Sequence, residues 1–116
     1  MKRPNVLIFI FVLILHASHA LAQEYNAMGQ GVGTCSVFAQ HYKQNPDYWE
    51  VVYFAWAQGW MSGFNSGDPV KNQNLNSIPL EEQRRHLRQY CDQHPLDEYF
   101  SAVTSLYNRF KPMSMK

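Results

Sequence analysis

The 116-residue chain holds only two cysteines, Cys35 and Cys91. It has no apolar run of the ~20 residues that a bilayer-spanning helix needs. An alternating strand pattern and an internal repeat are both missing, which argues against sheet folds and repeat arrays. A surplus of either charge is missing too, with ten Lys and Arg against nine Asp and Glu. The basic footprint left by a nucleic-acid partner is therefore absent. No C-x-x-C occurs and no H-x-x-x-H pair, so neither a thiol-redox motif nor a helical zinc site is indicated. Ser62 and Ser66 lack the strand-turn-helix setting of a nucleophile elbow. Nothing resembles paired acid and base carboxylates. These gaps point to a protein that is not an enzyme and carries no metal or cofactor.

What is present begins with an export signal. Lys2 and Arg3 precede Val6 to Leu15, an unbroken run of Val, Leu, Ile and Phe. Its length fits the apolar core of a signal peptide, and Ala20 and Ala22 form the small-x-small pattern read by a signal peptidase. Residues 1–22 are read as that signal, with the cut after Ala22. The remaining 94 residues suit one periplasmic or secreted domain, free of the membrane after cleavage. Removal of Lys2 and Arg3 leaves eight cations against nine acids. In an oxidising compartment an even pair of cysteines reads as a disulfide, here Cys35–Cys91. The chain-entropy model assigns such a crosslink about 4 kcal/mol.

Helical periodicity fills the rest. Residues 23–33 read as a flexible lead-in, because Gly29, Gly31 and Gly33 alternate with no strand before them to make a phosphate loop. A helix is predicted from Thr34 to about Gln44, with Cys35, Phe38, Ala39 and Tyr42 on one stripe. Asn45-Pro46 closes it and caps a second helix, which runs to the Phe64–Pro69 stretch. Val70 to Ser77 reads as a polar surface loop. A third helix is predicted from near Pro79 to Cys91 or Gln93. It has acids near its start and arginines toward its end, and a Glu81–Arg85 pair. The fourth is predicted to begin at Pro95, with Leu96, Phe100, Val103, Leu106, Tyr107 and Phe110 as its apolar stripe. Residues 111–116 read as a tail. The fold expected is all-α: a small four-helix domain over 34–110, stapled by one disulfide and preceded by a signal peptide.

Two features of the second helix bear on function. Gly59 and Gly63 cost about 1 kcal/mol each against Ala inside a helix. Four residues apart, they make a flat strip, read as close-packing glycines for a neighbouring element. Aromatics also crowd this helix beyond what one core face can hold. Tyr53, Trp56, Trp60 and Phe64 are the residues read as a binding surface, since exposed aromatic patches mark interaction sites.

Thr34-Cys35-Ser36-Val37-Phe38 resembles the Trp-Thr-Cys-x-x-Phe opening of the HdeA/HdeB-like periplasmic proteins. The block W-A-Q-G-W-M-S-G-F-N over 56–65, and Tyr90-Cys91 followed by His94-Pro95-Leu96, look like a set of small secreted bacterial proteins of the same outline. The resemblance covers most of residues 34 to 110. It implies a compact helical domain with one disulfide. It also implies a non-enzymatic, stress-protective or chaperone-like protein that loosens at low pH and holds unfolding client proteins. The aromatic surplus supports an alternative, a periplasmic protein-binding module such as a toxin-neutralising immunity protein. A homodimer stays open under either reading.

Overall fold

Asn45 ends one helix and starts the next. Its backbone N–H donates to the His41 carbonyl, closing α1 (Cys35–Gln44). Its side-chain Oδ1 accepts from the Tyr48 N–H at 3.2 Å, opening α2 (Pro46–Gly67). Pro46 supplies the first helical position, where its missing N–H costs nothing. The structure, a computed structural model, describes residues 28–68 and 72–113. The predicted signal peptide and the first part of the lead-in lie outside the described residues, as does the end of the tail.

Two further helices complete the all-α domain, α3 (Leu80–Gln93) and α4 (Tyr99–Tyr107). The apolar α4 is central, with Tyr99, Ala102, Val103, Leu106 and Tyr107 all buried. It packs on α2 and α3, while α1 packs on α2 and α3. Cys35 in the first turn of α1 bonds to Cys91 in the last turn of α3, with both residues buried. Phe38, Tyr53 and Tyr99 meet beside it with ring centroids 4.8 to 5.0 Å apart, the spacing at which aromatic edges and faces attract.

The chain entering α1 and the chain entering α4 satisfy each other. The Cys35 and Ser36 N–H groups donate to the Asp97 and Pro95 carbonyls at 2.7 and 2.9 Å, and the Tyr99 N–H donates to the Gly33 carbonyl at 2.8 Å. These are donors that helix starts leave without intrahelical partners. This clasp corrects the fourth helix, which begins at Tyr99 rather than Pro95. The carbonyls of residues 95 and 97 are turned toward the α1 donors, which holds this stretch out of the helical path. Leu96 is consequently exposed instead of lying on the apolar stripe.

The structure also corrects the loops. Gln73–Asn74 (β1) pairs antiparallel with Lys111–Pro112 (β2), so part of the predicted loop joins part of the predicted tail. Asn65 of α2 stands in for a third strand: Nδ2 donates to the Gln73 carbonyl at 3.0 Å, and Oδ1 accepts from the Gln73 N–H at 2.7 Å. The Tyr107 hydroxyl donates to the same Oδ1.

The glycine expectations are reversed both in the lead-in and in α2. The lead-in reaches the domain as a 3₁₀ turn at Gln30–Val32, not as a free linker. Gly31 is buried there, and a Cβ at that position would collide with the Trp56 ring. The Trp56 indole donates to the Met28 carbonyl at 2.8 Å, and Gly29 takes a φ of 87° that favours glycine. By contrast, apart from the backbone of α2 itself, nothing among the described residues lies within 4 Å of a Cβ built on Gly59 or Gly63. They are not close-packed against any described part of the chain.

Opposite outcomes follow for alanine at these sites. Gly63→Ala raises stability by up to about 1 kcal/mol, the ordinary gain in a helix. Gly31→Ala lowers it by roughly 1–3 kcal/mol, the usual cost of overpacking, and shifts Trp56 fluorescence. Urea denaturation of the oxidised protein measures both.

Candidate protein-binding face

From Val51 to Gly67 the sequence contains no Asp, Glu, Lys, Arg or His. In α2 that stretch makes several turns of helix. Its inner face carries Tyr53, Phe54, Ala57 and Met61 into the core. Its outer face carries Tyr48, Val51, Ala55, Gly59, Ser62, Gly63 and Ser66, all exposed. Residues 48 to 66 of a helix extend about 28 Å. A helix surface turned to solvent normally carries charge. On α3 it does, at Glu81, Arg85 and Asp92. Uncharged residues hold the whole outer face of α2, most of them apolar or small, with Gln58 the long polar one, and Val51 remains 63% exposed.

The four aromatics predicted as a binding surface divide. Tyr53 is 1% exposed and belongs to the core; it is corrected from that surface. Its hydroxyl meets His41 Nδ1 at 3.0 Å, and burial raises its pKa. Trp56 is half-buried under the Gly31 turn. Trp60 and Phe64 stack with centroids 5.0 Å apart and lean edge-on against Phe100 and Tyr107. Phe64 keeps 45% of its surface exposed. Of the four, Phe64 alone is exposed, with Trp60 half-buried beneath it. Sequence reading missed the face itself by following aromatics. The signal that marks it is the missing charge.

A cleft of about 290 Å³ opens beside α2, lined by Gln58, Met61, Ser62, Leu75, Asn76, Leu80 and Gln83. None of these residues is charged, so the cleft continues the character of the face.

Charge is gathered elsewhere. Arg88 of α3 pairs with Glu50 of α2 and, at 3.0 Å, with Glu81. The Arg84 guanidinium lies 4.9 Å over the Phe54 ring and 3.7 Å from Glu81, so Glu81 meets Arg84 where Arg85 was predicted. His86 Nε2 lies 3.1 Å from Ser105 Oγ, a distance that invites comparison with a nucleophile and its base. The other ring nitrogen decides against it. Arg109 Nη1 reaches His86 Nδ1 at 2.9 Å, and arginine can only donate. Nδ1 must accept, so the proton of neutral His86 sits on Nε2 and points at Ser105. A general base for that serine would need the opposite tautomer, held by a carboxylate. Among the described residues no three His, Cys, Asp or Glu side chains converge on a metal-sized site. No helix among them is long and apolar enough to cross a membrane.

Comparison of the chain with protein-family models, curated proteins and solved structures found no match.

Burial, and then the charge of Arg109, hold the His86 pKa below its ordinary value of 6.5. The unfolded chain therefore takes up a proton near pH 6.5 that the folded protein refuses. Stability falls as pH drops below about 6.5 and stops falling on this account once the folded pKa is passed. His86→Gln keeps an uncharged partner for Arg109 and flattens the urea midpoint between pH 7.5 and 5. Equal slopes for the two proteins would show that His86 is not the source.

Proposed function

We propose that this chain is an exported, non-catalytic protein-binding module, and that the outer face of α2 seats a helix of its partner protein. The observation that carries this reading is an exposed helix face without a charge along about 28 Å. Gly59 and Gly63 fit it. In an isolated domain they would cost about 1 kcal/mol each and return no contact. Beneath a second helix, a surface without Cβ atoms lets the two backbones approach closely. Trp60 and Phe64 flank the contact as the large, rigid anchors that dominate interface energetics. A toxin neutralised after export is one partner of this kind.

A photo-crosslinking residue at Gly59 tests the proposal in cells exporting the protein. Discrete heavier adducts are expected from Gly59, and none from Gln89 on the solvated side of α3. Equal yields at both positions, or no adduct at Gly59, would refute it.

Acid-triggered client holding, the activity implied by the HdeA/HdeB-like resemblance, draws on a different observation. Glu50, Glu81 and Glu82 are the ion partners of Arg84, Arg88 and Arg109. Protonating these carboxylates leaves the arginines of α3 facing one another without counter-charges, while Cys35–Cys91 still joins α1 to α3. On this reading the oxidised protein suppresses light scattering by an unfolding client at about pH 2–3, below the carboxylate pKa range. Glu50→Gln carries part of that loosening to neutral pH. Unchanged scattering in acid would remove the chaperone reading and leave the α2 reading untouched.

A further inference from the structure

His86 ties three parts of the domain together. It lies on α3, its Nε2 donates to Ser105 Oγ of α4, and its Nδ1 accepts from Arg109 Nη1 two residues beyond α4. The last contact holds only while Nδ1 carries no proton, because an arginine nitrogen always donates. Arg109 has a second partner, Glu82, at 3.5 Å, with both side chains partly exposed. Glu82 and His86 sit one turn apart on α3, the spacing at which helix side chains meet. A protonated His86 therefore repels the guanidinium at one contact and competes for its carboxylate at the other. The neighbouring elements offer no counter-charge. α4 contains no charged residue. Arg85, next to His86 in sequence, is exposed and has the same sign as Arg109. Tyr90, one turn further along α3, donates its hydroxyl to Asp97. α1 and α2 meet α3 through other side chains, Cys35 at Cys91 and Glu50 at Arg88. What Arg109 leads into is lightly tied. Phe110 is buried, with its ring centroid 6.5 Å from that of Tyr107. The Lys111 N–H donates to Ser77 Oγ at 3.1 Å, the Met113 N–H donates to the Asn72 carbonyl at 2.8 Å, and the two residues of β2 pair with β1. Residues 111–113 are exposed. One buried ring and a two-residue ladder are the kind of anchorage that opens locally, below the free energy of global unfolding.

We propose that residues 109–113 form an acid-released strap with His86 as its catch: a proton on Nδ1 turns Arg109 away, and the segment lifts Phe110 from the core and leaves β1 without its partner strand. Burial and the Arg109 charge disfavour that proton while the strap is closed. Opening removes the Arg109 charge and part of the burial, so the ring moves back toward its ordinary value of 6.5 and takes the proton up. The closed state is the one with the lowered pKa. Its advantage is therefore complete above pH 6.5 and shrinks as pH falls below that value, until the closed-state pKa is passed. This window belongs to a histidine and lies above the carboxylate range. The strap thus opens while Glu50–Arg88 and Glu81–Arg84 are still paired, which separates it from the loosening that acid client holding would require. It is equally independent of what docks on α2.

Amide hydrogen exchange of the oxidised protein, followed by NMR between pH 7.5 and 5, reads the strap directly. Rates are expressed as protection, so that the intrinsic pH dependence of exchange cancels. Protection at Lys111 and Met113 is expected to fall severalfold across that range. It should stay level in His86→Gln, which keeps an uncharged partner for Arg109. Arg109→Gln removes the cation at a half-exposed position and should lessen the fall. A role for His86 in global stability alone gives a different pattern: buried α2 amides such as Ala57 lose protection in acid while Lys111 and Met113 do not. That pattern overturns the strap. An equal fall in the wild-type protein and His86→Gln overturns the catch, and an unchanged fall in Arg109→Gln overturns the part given to Arg109. Lys111 and Met113 amides without protection at pH 7.5 would mean there is no closed strap to release, which also overturns the proposal.

Discussion

The junction of residues 33–36 with residues 95–99 is the constraint on which the rest of the domain depends. Two helix starts meet there, and each supplies carbonyls to the other's free N–H groups. The Cys35–Cys91 bond closes the same junction covalently across 56 positions of sequence. A domain of this size buries too little surface to be stable with much margin. The crosslink, worth about 4 kcal/mol in the chain-entropy model, is of the same order as the net stability of a typical small domain. Because α1 and α3 are joined at this point, α2 and α4 can enter and leave the core from fixed ends. The aromatic cluster of Phe38, Tyr53 and Tyr99 forms against that fixed point.

With the junction set, α2 is left with two unlike faces. One is an ordinary core face of large apolar residues. The other is neither a core face nor a solvated one. Helices that stay in water usually carry lysine, arginine and glutamate, because those side chains favour helix and keep molecules apart. On the outer face of α2 such residues are replaced by Tyr48, Val51, Ala55, Gln58, two glycines and two serines. Among the described residues the charged pairs lie instead within α3, at Glu81 with Arg84 and Arg88, between α2 and α3 at Glu50–Arg88, and between α3 and the residue two past α4 at Glu82–Arg109. That division leaves a long neutral strip beside a neutral cleft.

The reach of sequence reading can be judged residue by residue. Asn45-Pro46 marked the α1–α2 corner because its chemistry is local: one side chain, one ring and the next few N–H groups. The two cysteines named their own partner, since no third thiol competed. The α4 start was misplaced because Pro95, Asp97 and Glu98 satisfy every local rule for a helix N-terminus, and a long-range demand from α1 outweighed them. Gly31 and Gly63 look alike in sequence. One is held against Trp56 and the other faces open space, and only the position of Trp56 tells them apart. Tyr53 and Phe64 are likewise equal as aromatics, and their burial is set by how far α4 and the β1–β2 pair extend along α2.

By itself, then, the sequence determined the helical class, the two helix ends at Asn45 and the covalent pairing, because each follows from neighbours in the chain or from a count that allows one answer. It also contained the uncharged stretch 51–67, though not its exposure. The tertiary structure alone decided that this stretch faces outward along half its circumference, that the Gly31 turn covers Trp56, and that the buried Gln83 ties the 75–78 turn to α3. Those outcomes depend on which distant surfaces arrive at α2. Contact between residues far apart in the chain is set by packing, which no local pattern of residue types specifies.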